Sequence, residues 1–261
     1  DINKVYVKMA DLKTFTECGE VSKAVLDDGL RAVNFYRKLY GLKDAALDAD
    51  LTDICQHSSV LALSLDDVNK PIKPNNMSNE FYVRAMQSDS YKPNCIKIFT
   101  ELDVSPIYKA VDSLFKTNEY FRSYILNPNV NVIGLGCCTD DKHRTSVVVG
   151  TDNVNNTNSD INYTTYPSAA YYPFDLLDKN DKWSIHLNPH KYQVSKRGMP
   201  SISIKSGSST YMLNCKSDIE LSINNNCIKF LCPDFKENTS YKIPVDNLYD
   251  VNGIAARLEY S

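Results

Sequence analysis

The chain has 261 residues and a net charge of −3 at pH 7, with 29 lysine and arginine residues against 32 aspartate and glutamate residues. No block of basic residues interrupts this balance, so the sequence lacks the electrostatic footprint of a nucleic-acid-binding protein. Its longest apolar runs fall far short of the ~20 residues that a membrane helix needs, so we expect no membrane span.

The N-terminal part of the sequence predicts an arm and then helices. Residues 1–19 show little periodicity, and we expect a disulfide through Cys18 to hold this arm to the body of the protein. A polar cap and a glycine stop predict a helix over 22–41. A second helix is predicted over 47–65, and a loop rich in proline and asparagine separates it from a short helix over 81–87.

The stretch 108–149 predicts a helix, a sharp stop and two strands. Pro128 excludes the α conformation from Asn127 and ends the helix. Gly134 and Gly136 lie in the strand that follows, which indicates that another element packs closely on it. A charged turn then leads into the second strand.

The C-terminal third of the sequence changes to alternation with period two. An asparagine-rich loop and a connector rich in tyrosine and proline come first, followed by the runs WSIHL, SISIK, TYMLNC, IELSI, CIKFLC and YKIPV. Short alternating runs separated by turn residues predict a small antiparallel β-sandwich. The sequence therefore predicts an α+β chain with an arm over 1–19, a first domain over 20–176 and a β-sandwich domain over 177–261.

Cysteines and sequons favour a secreted or surface protein. Eight cysteines predict disulfides and an oxidising compartment, and they lie at Cys18, Cys55, Cys95, Cys137, Cys138, Cys215, Cys227 and Cys232. None has the spacing of a zinc site, and the disulfide connectivity stays open. Four glycosylation sequons begin at Asn76, Asn155, Asn162 and Asn238. The first residue is aspartate, so we expect a mature or trimmed product, with a removed signal peptide or a lipid anchor as open alternatives.

Four pieces of the sequence resemble the CAP superfamily, which comprises sperm-coating, antigen 5 and pathogenesis-related type 1 proteins. GLRAVNFYRKLYGL carries the Asn-x-x-Arg signature at Asn34 and Arg37, and LDADLTDICQHSSVLAL is similar to the second helical stretch of the family. AVDSLFKTNEYFRSYILNPNVNVIGLG, which contains Asn127 and Pro128, resembles the helix-to-strand motif. SVVVG through YYPF resembles the closing strand. The resemblance implies an α/β/α sandwich with helices on both faces of a mostly antiparallel sheet.

The resemblance also implies a cleft in which two histidines and two acidic residues bind a metal, and this sequence departs from it. Phe121 stands at the position of the second histidine, Arg122 is retained, and Glu101 is the nearest counterpart of the acidic motif. The first histidine is missing from 66–73, and His57 comes about three helical turns too early. Phenylalanine has no lone pair for a metal or a proton. We therefore expect a degenerate, non-catalytic cleft with no metal and no cofactor.

The remaining polar motifs do not indicate an active site. His143 lies in a charged turn, and His186 and His190 flank one strand without a third zinc ligand. No cysteine has a histidine motif around it, and the sequence lacks nucleophile-elbow, dinucleotide and Walker motifs. The aspartate pairs at 66–67 and 140–141 are typical of solvated turns.

Tyrosine is abundant, with 17 residues against one tryptophan. Tyrosine is enriched in binding surfaces, so a contact site is predicted at the cluster near the domain junction, Tyr163, Tyr166, Tyr171 and Tyr172. The alternative is that these rings hold the two domains together.

Taken together, these features predict a secreted protein, or one on the extracellular face of the plasma membrane, that binds a protein or cell-surface ligand. The bias toward asparagine, lysine, tyrosine and aspartate resembles proteins from AT-rich protozoan genomes, which favours a parasite antigen or adhesin. Two alternatives stay open. One is a secreted protein that binds a lipid or sterol, and the other is a divergent metal-dependent hydrolase.

Overall fold

The computed structural model describes residues 2–65, 71–90, 95–101, 103–153, 160–168, 182–194, 199–214, 216–223, 226–231, 236 and 239–260. The chain has an α+β fold and divides into two compact units. The first unit comprises 1–38, 43–125 and 130–156, and the second comprises 39–42, 126–129 and 157–261. The domain boundary predicted at 176/177 lies outside the described residues.

The first part of the chain combines helices with a small central sheet. The helices are α1 (Ile2–Val5), α2 (Lys23–Leu39), α3 (Ala49–Ser64), α4 (Asn79–Ser90), α5 (Pro106–Thr117) and α6 (Glu119–Ile125). The strands are β1 (Tyr6–Lys8), β2 (Glu20–Val21), β3 (Ala46–Leu47), β4 (Cys95–Glu101), β5 (Val132–Thr139) and β6 (Arg144–Asp152). The sheet order is β3-β5-β6-β4, and β3 pairs with β5 in parallel whereas the other two pairs are antiparallel. The helices predicted over 22–41, 47–65 and 81–87 and the two strands near 130–149 are confirmed.

Helices pack on both faces of the central strand β5. A Cβ atom at Gly136 would lie 2.2 Å from the carbonyl oxygen of Cys55 in α3, so the backbones approach each other as closely as glycine allows. On the opposite face, a Cβ atom at Gly29 of α2 would lie 3.0 Å from the Leu135 side chain. Neighbouring strand residues point to opposite faces, so α3 and α2 enclose the sheet in the predicted α/β/α order. The predicted close packing on the glycines of this strand is confirmed.

The N-terminal arm is held by a strand pair and hydrogen bonds. β1 pairs with β2, and the Tyr6 hydroxyl lies 2.8 Å from Thr139 Oγ1 and 3.2 Å from Cys137 Sγ. Gln56 of α3 donates a hydrogen bond from Nε2 to the carbonyl oxygen of Cys18 at 2.8 Å. Cys18 is a free thiol, so the predicted disulfide at this position is wrong.

The disulfide prediction also fails at the other cysteines that the structure describes. No disulfide joins Cys18, Cys55, Cys137, Cys138 and Cys227. Cys137 and Cys138 are neighbours in a strand and point to opposite faces, and Cys138 packs in an apolar cluster with residues of α3. Burial raises the pKa of both thiols, which makes them inert apolar side chains. The side chains of Cys95, Cys215 and Cys232 lie outside the described residues.

The second unit is an antiparallel β-sandwich. Its strands are β7 (Tyr163–Tyr166), β8 (Trp183–Leu187), β9 (Tyr192–Gln193), β10 (Ser201–Ser206), β11 (Ser209–Met212), β12 (Ile219–Ser222), β13 (Cys227–Phe230), β14 (Ile243–Asp250) and β15 (Ala255–Tyr260). One sheet has the order β12-β13-β8-β7 and the other β11-β10-β14-β15, with β9 also paired to β14. Both sheets contribute to one core that includes Trp183, Ile202, Phe230 and Val245. The predicted sandwich is confirmed, and β7 belongs to it by pairing with β8.

Candidate functional site

The Asn-x-x-Arg signature has a structural role. Asn34 forms a two-way pair with the backbone of Ala45, with distances of 3.0 Å from Nδ2 to the carbonyl oxygen and 2.9 Å from the amide to Oδ1. Arg37 is fully buried, and burial lowers its pKa to about 10. Its guanidinium donates to three backbone carbonyl oxygens, those of Lys43 at 2.9 Å, Ile125 at 2.6 Å and Val130 at 2.8 Å. The two side chains therefore fix the loops that surround the central sheet.

The residues predicted to line the degenerate cleft are mostly buried. Phe121 is 1% exposed, and Arg122 is 2% exposed. Arg122 donates from Nη1 to the carbonyl oxygens of Phe115 at 2.9 Å and Lys116 at 3.1 Å. Glu101 pairs through its backbone in β4, but its side chain lies outside the described residues. Neither described side chain presents a polar group to an open cleft.

A local hydrogen bond from the backbone to a side chain stabilises the helix-to-strand turn at Asn127 and Pro128. The Asn127 Oδ1 atom accepts a hydrogen bond from the backbone amide of Asn129 at 3.0 Å. This bond stabilises the turn that follows α6. The residues of this motif therefore shape the backbone and carry no reactive group.

The predicted tyrosine contact site is only partly described. Tyr166 is 0% exposed, so this ring offers no surface to a partner, contrary to the prediction. Tyr163 is half-buried and donates its hydroxyl to the Glu259 carbonyl oxygen at 2.9 Å. Tyr171 and Tyr172 lie outside the described residues. Of the sequon asparagines, Asn76 and Asn162 are exposed, whereas Asn155 and Asn238 lie outside the described residues.

The first unit carries an open groove of about 730 Å³ between the arm, α3 and α4. Three buried apolar side chains, Phe15, Met77 and Phe81, form its floor. Polar and charged side chains surround the floor, namely Thr14, Thr16, Asp53, His57, Asn76, Ser78, Glu80 and Arg84. With eight polar or charged residues around three apolar ones, the lining is more polar than that of a typical small-molecule pocket.

Two local turns shape the walls of this groove. The Asp11 carboxylate accepts hydrogen bonds from the amides of Lys13 at 2.8 Å and Thr14 at 3.0 Å, which fold the arm into a turn. Together with the Thr14 hydroxyl, these bonds lower the Asp11 pKa to about 2. On the other wall, Ser78 Oγ accepts a hydrogen bond from the Phe81 amide at 3.1 Å and begins α4.

An ion-paired network forms one end of the groove. Arg84 of α4 donates from Nε to Asp53 Oδ2 at 2.6 Å and from Nη2 to Asp50 Oδ1 at 2.5 Å. Partial burial works to lower the Arg84 pKa, but the bonds to the two carboxylates outweigh it and raise the pKa. His57 Nδ1 lies 2.9 Å from the Asp53 carbonyl oxygen and 3.4 Å from Asp53 Oδ1. The network joins α3 to α4 and places a carboxylate beside an imidazole.

Cys18 of the arm completes this cluster. Its sulfur, a carboxylate oxygen of Asp53 and a ring nitrogen of His57 all lie within 4.8 Å of one another. Burial raises the pKa of the Cys18 thiol, and the negative charge of Asp53 raises it further. The thiol is therefore not an activated nucleophile, since catalytic cysteines have lowered pKa values.

Sequence reasoning missed the Cys18–Asp53–His57 cluster. His57 does not match the family motif, and the cysteine count predicts a disulfide at Cys18. One signal was present, because Asp53 and His57 are four residues apart on a predicted helix and must share a face. The contribution of Cys18 depends on the tertiary position of the arm, which the sequence pattern does not give.

Comparison with known proteins assigns no family. No protein-family model and no curated protein matches the sequence. An outer surface protein of Borrelia burgdorferi aligns with a TM-score of 0.35 and 12% identity over 50% of this chain and 94% of its own. A cysteine-rich secretory protein of Staphylococcus aureus aligns with a TM-score of 0.31 and 17% identity over 49% of this chain and 39% of its own. Alignments at these scores establish neither common ancestry nor a shared function.

Proposed function

We propose that this chain is a non-catalytic, CAP-like binding protein that is secreted or displayed at the cell surface and contacts a protein ligand. The observation that carries the proposal is the environment of Phe121. The resemblance aligns this residue with a metal-binding histidine, and its ring is 1% exposed in the interior of the first unit. Packing therefore replaces metal chemistry at this position.

The groove in the first unit is the proposed contact site. Its floor can hold an apolar side chain of the ligand, and the surrounding hydroxyl, amide and charged groups can pair with a peptide backbone. Several of these polar groups already pair within the chain, as Thr14 does with Asp11 and Arg84 with Asp53, and an acyl chain or sterol would find only three apolar side chains to cover. A protein segment therefore fits this groove better than a lipid does.

The proposed location outside the cell is supported by the exposed sequons at Asn76 and Asn162 and by the family resemblance. The cysteines give no support, since no disulfide joins those whose side chains are described. Among the described helices, none is long and apolar enough to cross a bilayer. Antibodies against the chain should label intact cells or the culture medium, and labelling that requires permeabilised cells would contradict this location.

A peptide-display experiment tests the contact site. A random-peptide library is selected against the immobilised protein, and each recovered peptide is measured against Thr16→Arg, which adds a long side chain at the edge of the groove, and against Thr210→Arg. Thr210 is exposed on β11 of the other unit and serves as the matched control. We expect Thr16→Arg to weaken binding at least tenfold and Thr210→Arg to leave it unchanged. Equal affinity for both variants, or a copurifying lipid in the groove, would refute the proposed site.

A further inference from the structure

We infer that Cys18, Asp53 and His57 form a binding site for a divalent transition-metal ion of the zinc class, which clamps the N-terminal arm to α3. Thiolate, imidazole and carboxylate are the ligands that Zn²⁺ takes in proteins. Mg²⁺ and Ca²⁺ prefer sites made only of oxygen atoms. The three donor types at this place therefore select for zinc and similar ions.

The spacing of the donor atoms is close to that of a tetrahedral site. Metal–ligand distances of 2.0–2.3 Å place tetrahedral ligand atoms about 3.3–3.7 Å apart. The three donor atoms lie within 4.8 Å of one another, so shifts of about 1 Å bring them into range. His57 Nδ1 lies 2.9 Å from the Asp53 carbonyl oxygen and donates to it, which leaves Nε2 as the ring nitrogen for the metal, and such a hydrogen bond is the usual support of a metal-binding histidine. All three side chains are partly exposed, which gives an ion access to them.

The surroundings hold the Asp53 carboxylate in place for this role. Arg84 donates to Oδ2 at 2.6 Å, which leaves Oδ1 on the side of His57 for the metal. Hydrogen bonds to ligating side chains are the usual support of protein metal sites. Asp53 and His57 are also fixed relative to each other because they are one turn apart on α3.

Charge and proton balance are satisfied at this site. On binding, the S–H bond of Cys18 breaks, its proton passes to solvent, and a sulfur–metal bond forms. The resulting thiolate and the carboxylates of Asp53 and Asp50 carry three negative charges, which balance the two positive charges of the ion and the one of Arg84. The step needs no oxidant or reductant.

Metal binding would fix the relation between the arm and the groove. Cys18 belongs to the arm, whereas Asp53 and His57 belong to α3 and line the groove. The ion therefore links the arm to α3, which is the role that the sequence analysis predicts for a disulfide at Cys18. Three protein ligands leave one of four coordination positions for water. This site does not rest on the proposed function. Metal binding is tested with Cys18→Ser and His57→Gln, whereas peptide binding is tested with Thr16→Arg, so either proposal can fail without the other.

Cobalt titration of the whole, metal-stripped chain tests the site. Co²⁺ bound to a thiolate gives a charge-transfer band in the near ultraviolet, and Zn²⁺ should displace it. We expect one ion per chain, loss of the band in Cys18→Ser, and binding weakened at least 10–100-fold in His57→Gln, since even losing a supporting hydrogen bond costs that much. His190→Gln, at an exposed histidine of the second unit, should bind like the parent chain.

Three results would overturn the inference. One is a parent chain that shows no thiolate band, and another is a band that survives in Cys18→Ser. The third is an unchanged Co²⁺ affinity in His57→Gln. This variant tests the site by itself if Cys18→Ser does not fold. Circular dichroism of each variant establishes that loss of the band reflects loss of a ligand and not loss of the fold.

Discussion

At the residue scale, Phe121 is a side chain whose role is to pack in the interior of the first unit. Its ring has 1% of its surface exposed, and its backbone amide donates to Asn118 Oδ1 at 3.0 Å. We expect Phe121→Ala to lower the free energy of unfolding by about 3–5 kcal/mol, because it removes a buried ring and leaves a cavity. Phe121→Leu should cost less. A change below about 0.5 kcal/mol for the alanine variant in chemical denaturation would contradict a packing role.

Asp11 gives a residue-scale prediction about pH. Its pKa is lowered from 3.8 to about 2, with the Thr14 hydroxyl as the largest cause. A lowered carboxyl pKa stabilises the folded arm above pH 3.8, and this stabilisation is lost as the pH falls from there through about 2. An NMR titration of Asp11 should therefore give a midpoint near 2, and Thr14→Val should raise it. Thr117→Val, at an exposed hydroxyl on α5, should leave the midpoint unchanged, and an unshifted midpoint in Thr14→Val would contradict the assigned cause.

At the element scale, the contact between α3 and β5 depends on two glycines. A Cβ atom at Gly136 would meet the Cys55 carbonyl oxygen at 2.2 Å, and one at Gly134 would meet the Leu51 carbonyl carbon at 2.5 Å. Both contacts involve backbone, which cannot turn away. We expect Gly136→Ala to destabilise the first unit by about 1–3 kcal/mol or more, since overpacking forces the helix and the sheet apart.

Gly207 provides the comparison for this prediction. It lies in a turn with open space around it and a φ of +56°, so an added methyl group meets only the conformational cost of about 1–2 kcal/mol. The destabilisation of Gly136→Ala should therefore exceed that of Gly207→Ala in urea denaturation. The reverse order would show that α3 and β5 can accommodate the added methyl group, so that their contact does not require a glycine at 136.

The elements were predictable from the sequence where local signals define them. α2 and α3 begin and end within about two residues of the predicted bounds, because Gly41 has a φ of +66° and Asp48 caps the next helix. The sequence does not predict β15, because only Leu258 and Tyr260 of its six residues are buried and the alternation is too weak. The β1–β2 pair was missed as well, since strands of two or three residues carry almost no pattern.

The candidate site was much less predictable than the elements. The family resemblance predicts a cleft at Phe121 and Arg122, which are buried, whereas the groove is formed by the arm, α3 and α4. Its floor joins Phe15 to Phe81, which are far apart in sequence, and their rings lie 6.2 Å apart. Only tertiary structure brings such residues together, so no local pattern could indicate the groove.

At the scale of the whole molecule, the state of the cysteines follows from burial. The cysteine count alone predicts a cross-linked chain, but four of the five described thiols are buried and the fifth, Cys18, lies beside the groove. We expect alkylation in denaturant, without a reducing agent, to modify all five described positions, Cys18, Cys55, Cys137, Cys138 and Cys227. Mass spectrometry of the peptides checks this, and a position protected until reductant is added would contradict the structure.

The whole molecule combines an α/β/α unit that carries the groove with a β-sandwich that has its own core. The central claim is that the groove, and not a metal-dependent cleft at Phe121, is the site where this protein acts. Hydrogen exchange of the chain, with and without a peptide selected against it, tests that claim most directly. The account predicts slower exchange in residues 13–16 and 77–84 on binding. Slower exchange confined to the residues around Phe121, or to the second unit, would contradict it.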